Sequence, residues 1–228
     1  MKLAVMQPYL FPYLGYFQLI QAVDEFVIYD DVNFIKGGWI NRNRILSGQG
    51  AQLLTLPLQR ASPNLLINQI RVDRRHKILQ TIRQCYSKAP CYKTVYPLLE
   101  EIITRDSDDL VSLLDHQLRS LCEYLGLSPR WRRSSMIDKD NELRGQDKVL
   151  ALCQALKATH YINLPGGKGL YAPEDFSRHG LKLSFIQPRA VSYGQFGNPF
   201  QPNLSIIDVM MFNNREQCAH LLQEYDLD

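Results

Sequence analysis

The chain has 228 residues, 45% of them hydrophobic and 21% charged, with a formal net charge of +3. That hydrophobic share excludes a disordered chain, and the small basic excess calls for no nucleic-acid partner. No apolar run reaches the roughly 18 residues of a membrane span, and no basic leader with a small-residue cleavage site opens the chain, so a cytoplasmic protein is expected. Its 5 cysteines show no C-x-x-C spacing and read as free thiols of a reducing compartment.

Residues 2–6 read as a buried strand, followed by a Pro-rich turn and a helix from about Gly15 to Ala22. "EFVIYDD" reads as a second strand ending in Asp30 and Asp31. Strand, short helix and strand in quick succession make a parallel βαβ unit, and such sheets bind ligands at the carboxyl ends of their strands. That rule puts Gln7, Tyr9, Tyr13, Asp30 and Asp31 on one rim. Asp30, Asp31 and Tyr9 are the candidate catalytic residues. Adjacent carboxylates act as a base, orient a hydroxyl or bind a metal, and they also cap turns.

Next, "VNFIKGGWINRNRILSGQGAQLLTLPLQ" reads as a β-hairpin around a Gly-Gln-Gly turn. Its first arm carries Lys36, Trp39, Asn41, Arg42, Asn43 and Arg44. Two-residue periodicity puts Arg42 and Arg44 on one face and Asn41 and Asn43 on the other. Guanidinium forks suit carboxylate or phosphate and Trp39 suits a ring, so this arm is a candidate anion-binding surface. A solvated hairpin face is the alternative.

From about Arg74 to Gly126 three stretches carry apolar residues at three- and four-residue spacing, which predicts a helical block. Asp106, Ser107 or Asp108 is expected to cap the third helix, and Gly126 to end it. The chain then returns to α/β signals: "QDKVLALCQALKA" as a helix, "THYINL" as a strand, "PEDFSRHG" as a short helix or turn, and "LKLSFIQ" as a strand. Between them, "LPGGKGLY" offers Gly166, Gly167, Lys168 and Tyr171 at a sheet's carboxyl end. The loop is either an anion cradle or a simple chain reversal, and it lacks the spacing of a Walker A loop. "SYGQFGNPFQPNLSIID" is aromatic and amide-rich, with Tyr193 and Gln195 as ligand-binding candidates, Ser205 as the cap of a helix starting at Ile206, and Asp208 in that helix's first turn. One or two helices close the chain, broken around Asn213-Asn214.

The five histidines fall in separate elements and no Cys/His spacing fits a metal, so no metal site is expected. No G-x-S-x-G elbow is present. The expected fold is α/β: a single domain over residues 1–228, with a parallel-sheet, Rossmann-like core, a β-hairpin, and a helical insert at about 74–126. Neither a cofactor nor an oligomeric state is indicated.

The run "MKLAVMQPYLFPYLGYFQLIQAVDEFVIYDDVNFIKGGWINRNRI" closely resembles the opening of the WbqC-like family. "YGQFGNPFQPNLSIIDVMMFN" resembles that family's second signature, and "YINLPGGKGLY" with "DF…HGLKLSF" its middle. The likeness spans essentially the whole chain. At Gly37-Gly38 the chain departs from the family pattern, in which a basic residue often precedes the Trp segment. The resemblance implies an enzyme of bacterial surface-polysaccharide (O-antigen, lipopolysaccharide) precursor biosynthesis. Its expected reaction is transfer of an acyl or aminoacyl group to the amino sugar of a nucleotide-sugar. The expected partner is an anionic small molecule, a nucleotide-sugar or an activated acyl donor, and an aminoacyl-tRNA donor is the one nucleic acid that reading admits. In that reading Arg42, Arg44 and Lys168 hold phosphates, Trp39 or Tyr9 stacks on a ring, and Asp30 or Asp31 is the base. A remoter similarity links strand, "QPYLFPYLGY", helix and strand to HIGH-type nucleotidylyltransferases. Tyr13 and Tyr16 stand where those enzymes carry histidines, and a neutral phenol stabilises phosphate charge less well than an imidazolium. Nucleotidyl transfer is thus one alternative, and a non-catalytic ligand-binding protein of a polysaccharide synthesis complex is another.

Overall fold

A computed structural model describes every residue except Asn198. Its centre is a sheet of six strands. In chain order these are β1 (Lys2–Met6), β2 (Glu25–Ile28), β7 (Arg130–Arg133), β8 (His160–Asn163), β9 (Lys182–Pro188) and β10 (Tyr225–Leu227). A hairpin of β3 (Arg42–Ser47) and β4 (Gly50–Thr55) and a short ribbon of β5 (Leu58–Gln59) and β6 (Arg71–Val72) lie outside it. The sheet order is β10-β9-β8-β1-β2-β7, parallel throughout except for β10, which runs antiparallel to β9. From β1 the chain moves outward to β2 and β7, then returns to β8 on the other side of β1 and moves outward again to β9. The winding direction reverses between β1 and β8, the arrangement of a Rossmann-like core, in which ligands bind beyond the strands' carboxyl ends at such a reversal.

The alternation of side chains divides the core into two layers. Ala4, Phe26 and Ile28 point to one face, where they pack with α1 (Leu14–Gln21) and α4 (Leu110–Leu125). Leu3, Val5 and Val27 point to the other, against α5 (Gly145–Ala155) and Phe176 of α6 (Pro173–Arg178). The expected helical block is present as α2 (His76–Tyr86), α3 (Tyr92–Thr104) and α4. Gly126 ends α4 with φ +75°, a left-handed value that glycine adopts without a Cβ clash. The tail forms α7 (Ile206–Phe212) and α8 (Arg215–Leu222), with Asn214 capping the second.

Three expectations need correction, and one strand was not expected. The cap of α4 is Asp109, whose carboxylate accepts from the Ser112 amide, not one of the three residues before it. The first hairpin arm begins only at Arg42, so Lys36, Trp39 and Asn41 lie on the loop that leads into it. β2 stops at Ile28, short of the two acids. The unexpected strand is β7 ("RWRR"), whose single apolar residue, Trp131, packs edge-on against Phe26 at 5.4 Å. It is a sheet edge, and the half-exposed Arg130 and Arg132 reach back to Glu25 of β2, at 3.1 and 3.0 Å.

Candidate functional site

The turn that leaves β1 is held in a strained shape by distant side chains. Phe11 has φ +42°, a left-handed value that a bulky L-residue avoids. Gln117 of α4 accepts from the Phe11 amide (3.0 Å) and donates to the Tyr9 carbonyl (2.9 Å). Asn43 of β3 donates to the carbonyls of Leu10 and Phe11, at 3.1 and 2.9 Å. The hydroxyl of Ser205, the residue before α7, donates to the Phe11 carbonyl (2.7 Å) and accepts from the Ile207 amide, which makes it the expected helix cap as well. Strain of this kind persists where neighbours over-determine it, and it clusters at ligand sites.

That turn carries Tyr9 and Tyr13 toward solvent. The two tyrosines, with Trp39, Asn43, Arg44 and Asn203, line a cavity of about 340 Å³. The Leu10 amide donates to the Trp39 carbonyl (3.1 Å), which ties the Trp39 loop to the turn. The Arg44 guanidinium lies 6.0 Å from the centre of the Trp39 ring, and among the described residues it has no carboxylate partner. Arg42, on the same strand face, has folded back on its own loop and donates to the carbonyls of Gly37 and Gly38. Of the two arginines, then, Arg44 is the cation at the cavity. Asn41 donates to the Leu56 carbonyl, and Lys36 is exposed on the loop. Burial, aided by its neighbour Tyr9, pushes the Tyr13 hydroxyl up to about 12, and burial raises Tyr9 too, so both are neutral phenols near pH 7.

Tyr13 also forms part of a second, larger cavity of about 500 Å³ between α1 and the segment from Pro188 to Leu204. Gly15 makes room for the Tyr13 ring: a Cβ there would lie 2.5 Å from Cε2 of that tyrosine. Tyr193 is on the far wall, where its ring meets Phe200 edge-on at 5.0 Å. Its hydroxyl donates to Asp208 (2.8 Å), as do Tyr86 (2.8 Å) and Gln195 (2.6 Å). Gln195 further closes its loop by exchanging hydrogen bonds with the Gln201 backbone, at 3.2 and 2.9 Å. Asn198, within that loop, lies outside the described residues. Asp208 is fully buried and, among the described residues, has three neutral donors and no cation. Burial raises its carboxyl, and hydrogen bonds from Tyr193, Tyr86 and Gln195 only partly offset this.

The other sequence candidates lie elsewhere. Asp30 is 2% exposed and Asp31 9%, and neither lines either cavity. Asp30 accepts from the Ser134 hydroxyl (3.0 Å) and from the amide and hydroxyl of Ser135, at 2.9 and 2.6 Å. Asp31 faces two buried ammonium groups, Lys139 at 2.8 Å and Lys148 at 3.1 Å. Burial pushes the Asp31 carboxyl up, but hydrogen bonds from Lys139, Ser134 and Lys148 outweigh it and hold the group below the usual range. Instead of an open rim, the two acids form an inward lock between the end of β2, the segment after β7 and α5.

Gln7 is half-buried, and its carbonyl accepts from the Tyr16 hydroxyl (2.8 Å). Tyr16 is itself fully buried against Tyr9 and Phe26. The Gly-rich loop lines neither cavity. Lys168 pairs with Asp228 at 2.6 Å, and Tyr171 joins Tyr161 and Asn163 at the end of β8. Gly167 is sterically required there, since a Cβ would lie 2.8 Å from the Asn163 amide nitrogen, whereas Gly166 faces open space. The structure thus brings together Tyr9, Tyr13, Trp39, Asn43, Arg44 and Tyr193, with Gln195 one layer behind. Residues 166–171 belong to another part of the sheet edge.

Sequence reasoning missed Gln117, Lys139, Lys148, Ser134, Ser135 and Gln18. Three of these left a trace. Gln117 shares a helix face with Leu113, Leu114 and Leu121, Lys148 sits one turn before Leu152, and Gln18 sits one turn after Leu14; each is a polar side chain on a buried stripe. Among the described residues no group of three or more His, Cys, Asp or Glu side chains has a metal-binding arrangement, and no helix is long and apolar enough to cross a membrane.

The profile of the WbqC-like protein family matches residues 7–220. "Uncharacterized protein Rv1507c" of Mycobacterium tuberculosis is 32% identical over 222 residues, covering 93% of each chain. No solved structure matches.

Proposed function

The chain belongs to the WbqC-like family, and from that premise we propose that it is a transferase of bacterial surface-polysaccharide precursor synthesis, moving an acyl group to the amine of a nucleotide-sugar. One observation carries the reading. A strained turn, fixed by Gln117, Asn43 and Ser205, presents Tyr9 and Tyr13 across a cavity from an arginine set against a tryptophan. An unpaired guanidinium beside an indole matches a phosphate next to a base or sugar ring. The neutral phenols of Tyr9 and Tyr13 donate to and accept from sugar hydroxyls without adding charge.

In the transfer, the sugar amine attacks the acyl carbon and the C–N bond forms. The bond from that carbon to its leaving group breaks, and the surplus proton on nitrogen goes to the leaving group. Asp30 and Asp31 serve this reaction by holding the strand ends, since their carboxylates are committed to Ser134, Ser135, Lys139 and Lys148. Nucleotidyl transfer finds less support, because the second tyrosine of "YLGY" is buried and bonded to a backbone carbonyl.

Thermal-shift titration with nucleotide-sugars tests the reading. Amino-sugar nucleotides should raise the melting temperature, and Arg44→Ala should weaken their binding at least about tenfold, in line with the loss of one charge-assisted contact. No shift with any nucleotide-sugar, or Arg44→Ala binding like the parent protein, would remove the proposal.

A further inference from the structure

The charge of the chain is unevenly spread. Residues 32–99 carry 11 Lys and Arg side chains and one acid, Asp73, whereas the other 160 residues carry 15 cations and 22 acids. The overall net charge of +3 therefore hides a segment of +10. That segment forms the hairpin of β3 and β4, the ribbon of β5 and β6, α2 and the first turns of α3, with α2 packed on β3, β4 and α3. Elsewhere 9 of the 15 cations pair with a carboxylate, but among the described residues none of these 11 does. Arg42 and Arg75 donate to backbone carbonyls instead, and the side chains of the remaining nine make no hydrogen bond among the described residues. Unpaired like charges repel one another, and an anion from solution relieves that repulsion.

The pattern is densest on α2. Ile78, Leu79, Ile82 and Tyr86 are buried on one side of this helix, and His76, Lys77, Gln80, Arg83 and Gln84 are exposed on the other. Lys88 and Lys93 follow, both exposed, at the junction with α3. From Lys77 to Lys88 a helical rise covers about 16 Å, or about five nucleotide steps at 3.4 Å each. Acids close to this face are Asp73 and Asp108, beside Arg74 and Arg75 at the start of α2, and Glu100, one turn beyond Tyr96 on α3. Protein interfaces are anchored by large apolar side chains. The exposed ones of this segment, Ile35, Trp39 and Leu53, belong to the hairpin and the loop before it, not to α2. What α2 has beside it is an aromatic pair. Tyr92 and Tyr96 of α3 are half-buried, with ring centres 4.9 Å apart and planes 31° apart. Burial, with the neighbouring Tyr96, raises the Tyr92 hydroxyl, and the Arg83 charge opposes that rise, so the guanidinium lies near this ring. Cations next to partly open rings are what single-strand recognition uses: charge for the phosphates and ring faces for the bases.

We infer that the solvent face of α2, with Lys88, Lys93 and the Tyr92–Tyr96 pair, binds a single-stranded segment of nucleic acid. Lys77, Arg83, Lys88 and Lys93 hold its phosphates, Gln80 and Gln84 donate to phosphate or sugar oxygens, and the tyrosine rings stack on its bases. Every base has a ring face, so this recognition tolerates any sequence. RNA and DNA share the chemistry that the surface reads. The inference goes beyond the transferase reading and does not rest on it, since Arg44, Trp39, Tyr9 and Tyr13 are no part of this surface.

Fluorescence anisotropy with labelled oligouridine, oligothymidine, a short DNA duplex and poly-glutamate tests the inference. At low salt at least one of the two single strands should bind, more tightly than the duplex or poly-glutamate. The logarithm of its affinity should fall against the logarithm of salt concentration with a slope of about −2 to −3, as for three or four phosphates on a single strand. Lys77→Glu combined with Arg83→Glu should weaken binding at least about tenfold. Tyr92→Leu, which keeps apolar packing but removes the ring, should weaken it at least about fivefold. Lys182→Glu, at an exposed cation of β9, should leave it unchanged. Circular dichroism and melting temperature show that each variant folds, and Tyr96→Leu replaces Tyr92→Leu if the latter does not. Absence of single-strand binding, unchanged binding in the double variant or the folded tyrosine variant, or an equal loss in Lys182→Glu would overturn the inference. A duplex bound as tightly as the single strands would overturn it as well, because the rings would then have no role. Poly-glutamate binding without nucleic-acid binding would overturn it in favour of an acidic protein partner. The double variant should bind nucleotide-sugars as the parent does, so failure here is told apart from failure of the transferase reading.

Discussion

Two buried carboxylates in this molecule have opposite surroundings. Asp31 faces two ammonium groups, Lys139 and Lys148, that are as buried as it is. Asp208, more deeply buried still, is held by two phenols and an amide and meets no cation among the described residues. Desolvation pushes both carboxyls up, but the lysines reverse the shift at Asp31, whereas the neutral donors around Asp208 do not. Burial alone thus fails to predict the state of a carboxylate; the charge of its partners decides. The two clusters also differ in task. The Asp31 lock ties sheet elements together and stays intact wherever the carboxylate is ionised. The Asp208 knot holds the loop that walls the larger cavity, and its hydrogen bonds favour the charged carboxylate without fully offsetting the cost of burying it.

The largest effect is expected from Asp31→Ala. It leaves two buried ammonium groups with no counter-charge, a change that costs about 3–5 kcal/mol, and a urea-unfolding midpoint measures it. A loss under about 1 kcal/mol would mean that the lysines relax to solvent and that the lock does not order this edge.

Tyr86→Phe comes next. It removes one donor to Asp208 and leaves the Leu46 amide, which the Tyr86 hydroxyl accepts at 2.8 Å, without a partner. A loss of about 1–3 kcal/mol is expected, with faster hydrogen exchange at Leu46 as a local sign.

The contrast sharpens with pH. The folded-state pKa of Asp31 is lowered, so its contribution to stability is present above the unfolded value of about 4 and is lost as pH falls through the folded value. That of Asp208 is raised, so its contribution is full below about 4 and is lost as pH rises through the folded value. The stability difference between parent and Asp31→Asn should therefore grow with rising pH, and that between parent and Asp208→Asn should shrink. Parallel pH slopes in the two comparisons would refute the assignment of partners.

The smallest stability change, within about 0.5 kcal/mol, is expected from Arg44→Ala, because the guanidinium is exposed and has no carboxylate partner among the described residues. The same substitution should give the largest loss of nucleotide-sugar binding. Stability and binding would then be carried by different arginines, since Arg42, folded onto Gly37 and Gly38, should show the reverse.

The β1–α1–β2 unit, the helical block and the final helix pair were legible because each is set by spacing over a few residues: apolar runs, three- and four-residue stripes, and caps such as Ser205. The WbqC-like signatures likewise named the turn after β1 and the Trp39–Arg44 segment as places to look. The sequence by itself could not separate Arg42 from Arg44, which share a strand face. Only the tertiary fold put the Gly37 and Gly38 carbonyls within reach of one and Trp39 beside the other. Nor could it show that Asp31 meets Lys139 and Lys148, or that Gln117 and Ser205 hold the strained Phe11. Those partners lie about a hundred residues or more along the chain from the groups they serve, and no local periodicity carries information over that distance. Local sequence fixes which face a side chain takes on its own helix or strand, whereas its partner is decided only when the sheet order brings distant elements together.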